Sequence, residues 1–238
     1  DKKKILFVIT NDIYIRNYLT TTALDALKKK FSVSFLISNK TKSVREIEQL
    51  EHFSYPVSIY RQKVYYKVFD LFMWHYRSKS KTFRLRIKRV QGLDLHFGSK
   101  VPILLKFSKS IWRLIRYSYL FLRNIFIANS LILPIYLFIL NMIMGINKPL
   151  HQKIEKLTPD LVLFPSSAHD PEGTDLIKIC KDKDIPIGFL IDNWDNLSSK
   201  SIFWELPSFI GVWGPQSKEH AQYIQGFQDE KVFLLGTP

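Results

Sequence analysis

Short, continuous apolar runs separated by amphipathic stretches make up most of the chain. We predict strands from such runs at residues 5–9, 32–37, 56–60, 161–164, 187–191, 209–213 and 232–235. Helical spacing of apolar residues predicts helices at residues 15–30, 150–157, 171–182 and 215–226. Strands that are buried on both faces of a parallel sheet have uninterrupted apolar runs, whereas half-exposed strands alternate. The pattern therefore predicts an α/β fold with a doubly wound, Rossmann-like parallel sheet.

A basic and then apolar insert interrupts this pattern between residues 61 and 147. Residues 61–123 contain 16 Lys and Arg but only two acids, Asp70 and Asp94, so this segment has the whole net charge of +14. We predict one domain over residues 1–238 with the insert at 61–147. Such a charge attracts nucleic acid or an anionic membrane.

Residues 124–147 form the most apolar part of the insert and contain no charged side chain. Their length matches a hydrocarbon core of roughly 30 Å. However, Ser130, three of the asparagines (Asn124, Asn129 and Asn141) and Pro134 argue against one continuous transmembrane helix. Three interpretations stay open: a single span, a buried helix pair, and attachment in the plane of the membrane. The last is favoured, because a basic segment adjoins the apolar one.

Several common sites lack their sequence motifs. No G-x-G-x-x-G follows the first strand, and neither a P-loop, an H-E-x-x-H pair nor a G-x-S-x-G turn occurs. The single cysteine, Cys180, excludes a cysteine-cluster zinc site and fits a reducing compartment. We therefore predict no metal site and no dinucleotide cofactor.

Candidate chemistry lies in the loops that follow the predicted strands, where ligands bind in open parallel sheets. The candidate general bases are Asp12, His169 and Asp170. The candidate substrate-binding residues are Asn11, Ser166, Ser167, Glu172, Asp192, Asn193, Trp194, Asp195 and Asn196. Alternatively, Asp170 and Asp192 are helix caps or turn residues, and His169 is an ordinary loop residue.

Two segments resemble a known enzyme family. They are IDNWDNLSSK at 191–200, and VWGPQSK at 212–218 with KVFLLGTP at 231–238. Together with the order of elements, they resemble the N-terminal half of GT-B glycosyltransferases of bacterial surface-polysaccharide synthesis, and more distantly the glycerophosphotransferases of teichoic-acid synthesis. The residues that match the family pattern are Trp213, Gly214, Ser217, Lys218, His220, Gly236, Thr237 and Pro238. The resemblance covers residues 1–60 and 148–238.

The resemblance implies that this chain binds a lipid-linked or glycan acceptor. A nucleotide-sugar donor would bind mainly to a second Rossmann-like domain, expected after Pro238, so we expect little activity from this chain alone. An acceptor hydroxyl would lose its proton to one of the candidate bases. Two alternatives stay open: a glycerol- or polyol-phosphate transferase of the same fold, and a non-catalytic module that binds membrane or nucleic acid.

The insert fits a membrane-facing role in such an enzyme. Lysine and arginine near an anionic surface each contribute about 1 kcal/mol, and a lipid diphosphate also binds arginine. The candidate membrane- or anion-binding residues are Arg77, Arg84, Arg86, Lys88, Arg89, Arg113 and Arg116. Nucleic acid is the less favoured partner because the charge adjoins an apolar segment. We therefore predict a peripheral protein on the inner face of the cytoplasmic membrane.

Overall fold

A computed structural model describes most of the chain. It covers residues 2–19, 21–41, 51–90, 103–200 and 202–237, and the side chains of residues 90, 103–110 and 113 are not among those described. The predicted role of Arg113 therefore lies outside the described side chains. Two compact units are formed. The sheet unit comprises residues 1–66 and 145–238, and the helical unit comprises residues 67–144.

The sheet unit contains seven strands that are all parallel, in the order β3-β2-β1-β4-β5-β6-β7. Their bounds are β1 Lys4–Ile9, β2 Ser32–Ser38, β3 His52–Tyr55, β4 Leu161–Ser166, β5 Ile187–Ile191, β6 Phe209–Val212 and β7 Val232–Leu234. This arrangement confirms the predicted α/β, Rossmann-like class. The chain moves outward from β1 to β3 and then returns to place β4 on the other side of β1.

Ten α-helices accompany these strands in the described residues. They are α1 Asp12–Tyr14, α2 Thr22–Lys30, α3 Ile59–His75, α4 Lys81–Val90, α5 Ile103–Ile127, α6 Ile132–Met144, α7 Lys148–Leu157, α8 Glu172–Asp182, α9 Asn196–Ser199 and α10 Pro215–His220. Two π-helical turns, Ile15–Leu19 and Ala221–Gln225, extend α1 and α10, and a 3₁₀ turn spans Asp229–Lys231.

Both faces of the sheet are covered, which explains the uninterrupted apolar strands. Leu6 and Val8 of β1 belong to one buried cluster, whereas Phe7 and Ile9 belong to another. Side chains that alternate along a strand point to opposite faces. A strand between two such clusters therefore needs apolar residues at every position.

The third predicted strand, at residues 56–60, is wrong. The strand that pairs with β2 is His52–Tyr55, and Pro56 follows it directly. Ile59 and Tyr60 instead begin α3, where both are exposed. Proline cannot donate to a strand ladder, so the pairing ends before it.

The helix predicted over 15–30 is also interrupted. Asn11 caps α1 by accepting the backbone N–H of Ile13 at 3.2 Å, and a π-helical turn follows. A new helix starts only after Thr21. The apolar spacing correctly indicates helical structure here. It does not indicate where the hydrogen-bonding pattern changes from α to π.

The uncharged run at 124–147 forms the end of α5 and all of α6. Asn129 separates the two helices, and its side-chain oxygen accepts the N–H groups of Leu131 and Ile132 at 3.0 and 2.8 Å. Pro134 lies in the first turn of α6, where backbone N–H groups have no partner inside the helix. Pro134 therefore lies near the start of α6 and does not kink it.

Candidate functional site

Polar side chains converge at the carboxyl ends of β1 and β4, two neighbouring strands of the sheet unit. Because the chain leaves β1 on one side and returns to β4 on the other, this edge is the topological switch point of the sheet. Ligands of open α/β sheets bind in the crevice at such points. The loops after β1, β4 and β5 therefore form the candidate site.

Asp170 is the centre of this site. Its Oδ2 accepts hydrogen bonds from the Tyr14 hydroxyl at 2.9 Å, the Ser166 hydroxyl at 2.9 Å and the Ser167 backbone N–H at 2.8 Å. Among the residues that the structure describes, its Oδ1 accepts only a long hydrogen bond from the Thr10 hydroxyl, at 3.4 Å. One carboxylate thus joins the β1 and β4 loops and keeps its second oxygen largely available.

Tyr14 completes this connection. Its hydroxyl donates to Asp170 and accepts from the backbone N–H of Ser167, both at 2.9 Å. Burial, together with the charges of Asp170 and Asp192, raises the pKa of Tyr14 well above its ordinary range. The phenol therefore remains a neutral donor throughout the physiological pH range.

The loop after β4 has a constrained backbone. Ala168 adopts a left-handed conformation with φ of 59° and donates its N–H to the Ser166 hydroxyl at 3.0 Å. Gly173, in the first turn of α8, lets this helix approach the sheet, since a Cβ there would lie 2.9 Å from the Phe189 ring. Left-handed non-glycine residues are uncommon and occur often at functional loops.

Asp192, directly after β5, is the second carboxylate of the site. It accepts a hydrogen bond from the Asn196 side-chain amide, and its backbone N–H donates to the Ser166 carbonyl at 3.2 Å. Burial and then the charge of Asp170 raise the pKa of Asp192. A half-buried carboxylate of raised pKa is a stronger base than an ordinary aspartate, and this is a requirement of a general base.

His169 and Glu172, which flank Asp170–Pro171, contact different side chains. The His169 ring lies 4.9 Å from the Tyr66 ring. Glu172 is buried and accepts a hydrogen bond from the Gln62 amide at 2.5 Å. Burial is the main cause that raises the pKa of Glu172, and the charge of Asp170 adds to it.

The remaining predicted residues lie on the loops that border this centre. Asn11 is an exposed helix cap, and Asp12 begins α1. The Asp195 carboxylate accepts the Ser199 hydroxyl at 3.0 Å and so closes the turn of α9. Asp195 therefore stabilises a turn. This is the role that the alternative interpretation proposed for Asp170 and Asp192.

Trp194 is the most exposed aromatic residue of these loops. Half of the Trp194 surface is exposed, and the neighbouring Asn193 is exposed as well. The Ser217 hydroxyl donates to the Trp194 carbonyl at 3.1 Å and fixes the backbone here. An exposed indole on a fixed backbone is suited to pack against the apolar face of a ligand.

A buried ion pair near the site has no counterpart in the predictions. Arg61 approaches Asp175 to 2.6 Å, and the Tyr65 hydroxyl and the Asn147 amide donate to the same carboxylate at 2.5 and 2.8 Å. Asp175 is only 3 % exposed. A single acid inside a helix gives no sequence signal for such a network, nor does Tyr14 within an apolar segment.

The predicted basic residues of the helical unit differ in their surroundings. Arg84, Lys88 and Arg89 are exposed on α4. The Arg77 guanidinium lies 4.9 Å from the Trp74 ring. The other two described residues of this set, Arg86 and Arg116, lie near Asp70 and beside a cavity, respectively.

The outer faces of α5 and α6 are apolar and exposed. On α5 the large exposed residues include Trp112, Leu114, Ile115, Tyr119, Leu122, Ile125 and Phe126. On α6 they include Ile135, Phe138, Ile139, Met142 and Ile143. Within the described residues no single helix has both the length and the apolar composition to cross a bilayer. Residues Leu114–Ile127 and α6 meet that test only as a pair, bent by 92°.

The described residues include no group of three or more His, Cys, Asp or Glu that is arranged to hold a metal ion. A scan against models of known protein families finds no match for this sequence, and a search of curated proteins finds none either. Function must therefore be inferred from the residues of this chain and their geometry.

Proposed function

We propose that this chain is the acceptor-binding part of a membrane-associated glycosyltransferase. The acceptor would bind at the carboxyl ends of β1, β4 and β5, and a second α/β domain would present the nucleotide-sugar donor, as in the enzymes that the sequence resembles. The observation that most supports this proposal is the cluster of polar groups around Asp170, with the second carboxylate Asp192 beside it, at the switch point of the sheet.

The proposed reaction needs a base for the acceptor hydroxyl. The hydroxyl proton moves to a carboxylate while the oxygen attacks the anomeric carbon of the donor, and the nucleoside diphosphate leaves with the bonding electrons. Asp192 suits this role, because it is partly accessible and burial raises its pKa. Asp170 has its Oδ2 occupied, so we assign it to holding the loops and orienting the acceptor through Oδ1.

Other candidates border the same crevice. Asp12 and His169 lie on the loops after β1 and β4 and remain candidate bases. Trp194 is exposed and would pack against a sugar ring. Because a sugar has both hydroxyls and an apolar face, carboxylates beside an exposed indole suit it better than they suit a simple anion.

The helical unit supports the membrane part of the proposal. Residues 67–144 contain 14 Lys and Arg and two Asp, and the exposed faces of α5 and α6 are apolar. Large exposed apolar patches mark interaction sites, and basic apolar helices bind anionic bilayers. A complex with nucleic acid would use the charge but leave the apolar faces in water.

Saturation-transfer NMR with a panel of methyl glycosides of common cell-surface sugars tests the proposed acceptor site. We expect at least one glycoside to receive saturation, and Asp192→Asn to weaken its binding about tenfold or more, as for a lost charged hydrogen bond. Asp184→Asn is the matched control, since Asp184 is exposed and precedes β5 at the opposite edge. No binding by any glycoside, or equal loss in both variants, would overturn the proposal.

A further inference from the structure

The helical unit buries a mostly apolar interior and also leaves many large apolar side chains exposed. Asn124 is only 5 % exposed, whereas Phe126, two residues later on α5, is 63 % exposed. Leaving large apolar groups in water while burying an amide has a free-energy cost. The exposed apolar side chains of this unit are therefore suited to apolar surroundings.

A half-open cavity of about 170 Å³ lies in this unit, and Arg116 at its edge is exposed. Its polar lining consists of Asp70, Arg116, Arg123 and Asn124, and three apolar side chains complete it. One water needs only about 10–15 Å³. The cavity is therefore large enough for a phosphate group together with water.

The lining has more positive than negative charge. Arg123 donates to the Asn124 side-chain oxygen through Nε at 3.1 Å and Nη2 at 2.7 Å. Arg116 makes no hydrogen bond or ion pair through its side chain within the part of the chain that the structure describes. Asp70 is the one lining carboxylate, and its charge faces those of Arg123 and Arg86. Fork-shaped guanidinium groups bind phosphate oxygens well.

The two lining arginines lie at the border of the apolar outer face. Arg116 and Arg123 are seven residues apart and so share one side of α5. Trp112 and Tyr119 lie four residues before each of them and are 72 % and 64 % exposed. Tryptophan and tyrosine prefer the headgroup level of a bilayer, where arginine meets lipid phosphate.

We propose that this cavity binds the phosphate or diphosphate headgroup of a lipid whose apolar chain lies along the outer face of α5. The proposal rests on the membrane association of the proposed function and names a lipid headgroup site within the helical unit. A soluble anion would satisfy Arg116 but would leave the adjoining apolar side chains exposed to water. A lipid phosphate would pair with Arg116, and its apolar chain would cover these side chains.

Calorimetry on the full chain in neutral detergent micelles tests this site with three probes: farnesyl diphosphate, inorganic diphosphate and farnesol. We expect farnesyl diphosphate to bind at least tenfold more tightly than either other probe. Arg116→Gln and Arg123→Gln should each weaken its binding at least tenfold. The matched controls Lys67→Gln and Lys81→Gln remove the same charge from exposed positions of α3 and α4 and should change binding less than threefold.

Equal losses in the cavity variants and the controls would overturn the proposal in favour of general surface attraction. Inorganic diphosphate that binds as tightly as farnesyl diphosphate would overturn its lipid part. Arg116→Lys and a melting curve of each variant detect unfolding, because a folded Arg116→Lys should keep part of the affinity. Binding of the methyl glycosides is measured separately on the same protein, so failure here is distinguishable from failure of the sugar site.

Discussion

At the scale of single residues, the candidate site depends on how one carboxylate is held. Asp170 takes three short hydrogen bonds on Oδ2 and one long one on Oδ1. This asymmetry separates a structural oxygen from an available one. It also makes Tyr14, which no motif identifies, the side chain that fixes the β1 loop to the β4 loop.

Replacing Tyr14 by phenylalanine should destabilise the fold. The change removes a donor to Asp170 and an acceptor for the Ser167 N–H. We expect the free energy of unfolding to fall by about 1–3 kcal/mol, with about 2–4 °C of melting temperature for each kcal/mol. Tyr18→Phe is the control, since the Tyr18 hydroxyl makes no hydrogen bond with any described residue. Equal shifts in both variants would contradict this role of Tyr14.

Asp192→Asn should make the protein more stable near neutral pH. Burial and the charge of Asp170 raise the pKa of Asp192 in the folded state. A raised carboxyl pKa favours folding at low pH, and that contribution is lost as pH rises from the ordinary value, about 3.9, through the folded one. Melting curves should therefore show the variant gaining on the parent between about pH 3 and pH 7.

The comparison with Asp184→Asn isolates this effect from the general titration of the chain. Asp184 is exposed, before β5 at the opposite edge of the sheet. A stability difference for Asp192→Asn that does not change with pH would show that the carboxylate is ordinary. The proposed base would then lose its physical support.

At the scale of elements, close approaches of backbone to side chain decide how the strands lie. Gly188 of β5 is paired with Phe209 of β6, and a Cβ on Gly188 would lie 2.2 Å from the Phe209 ring. The strand that precedes Asp192 therefore keeps its position because one residue has no side chain. Sequence alone marks Gly188 only as a weak point in an apolar run.

Gly188→Ala should destabilise the sheet by about 1–3 kcal/mol, the usual cost of overpacking. Chemical denaturation of the parent and the variant measures this difference. Gly214→Ala serves as the control, because no atom lies within 4 Å of its Cβ position and its backbone is extended. It should change stability by less than about 0.5 kcal/mol. Similar losses in the two variants would rule out the clash as the cause.

At the scale of the whole molecule, charge and exposed apolar surface occur together. The helical unit has a net charge of +12 from 14 basic and two acidic residues, out of +14 for the chain. The same unit exposes the apolar faces of α5 and α6. Electrostatic attraction weakens with salt, whereas apolar burial does not. The two contributions can therefore be separated.

Binding to vesicles of phosphatidylcholine with phosphatidylglycerol should weaken from about 0.1 M to about 1 M salt but not disappear. The double variant Phe126→Ser, Ile135→Ser should bind at least tenfold more weakly at both concentrations, since each buried large side chain contributes about 1.5–3 kcal/mol. Tyr223→Ser, at an exposed aromatic of the sheet unit, should bind like the parent. Retention on DNA without binding to vesicles would contradict the membrane assignment.

Much of the fold follows from local patterns, while the site follows only in part. Continuous apolar runs predicted six of the seven strands at nearly their observed positions, because burial on both faces requires apolar residues throughout. The strand-end rule placed Asp170 and Asp192 at one edge. The rule gave no way to distinguish Asp170, which accepts several hydrogen bonds from distant residues, from Asp195, which closes its own turn. This difference depends on which hydrogen-bond donors the fold brings close to each carboxylate.

By itself, the sequence determined the class of the sheet, the edge that holds the polar loops, and the segregation of charge into residues 61–123. Each of these depends on residue type and spacing along the chain. Tertiary structure alone decided the partners of Asp170, the ion pair of Arg61 with Asp175, and the cavity beside Arg116. These contacts join residues up to 160 positions apart, and such pairings are set by how elements pack and not by any local pattern.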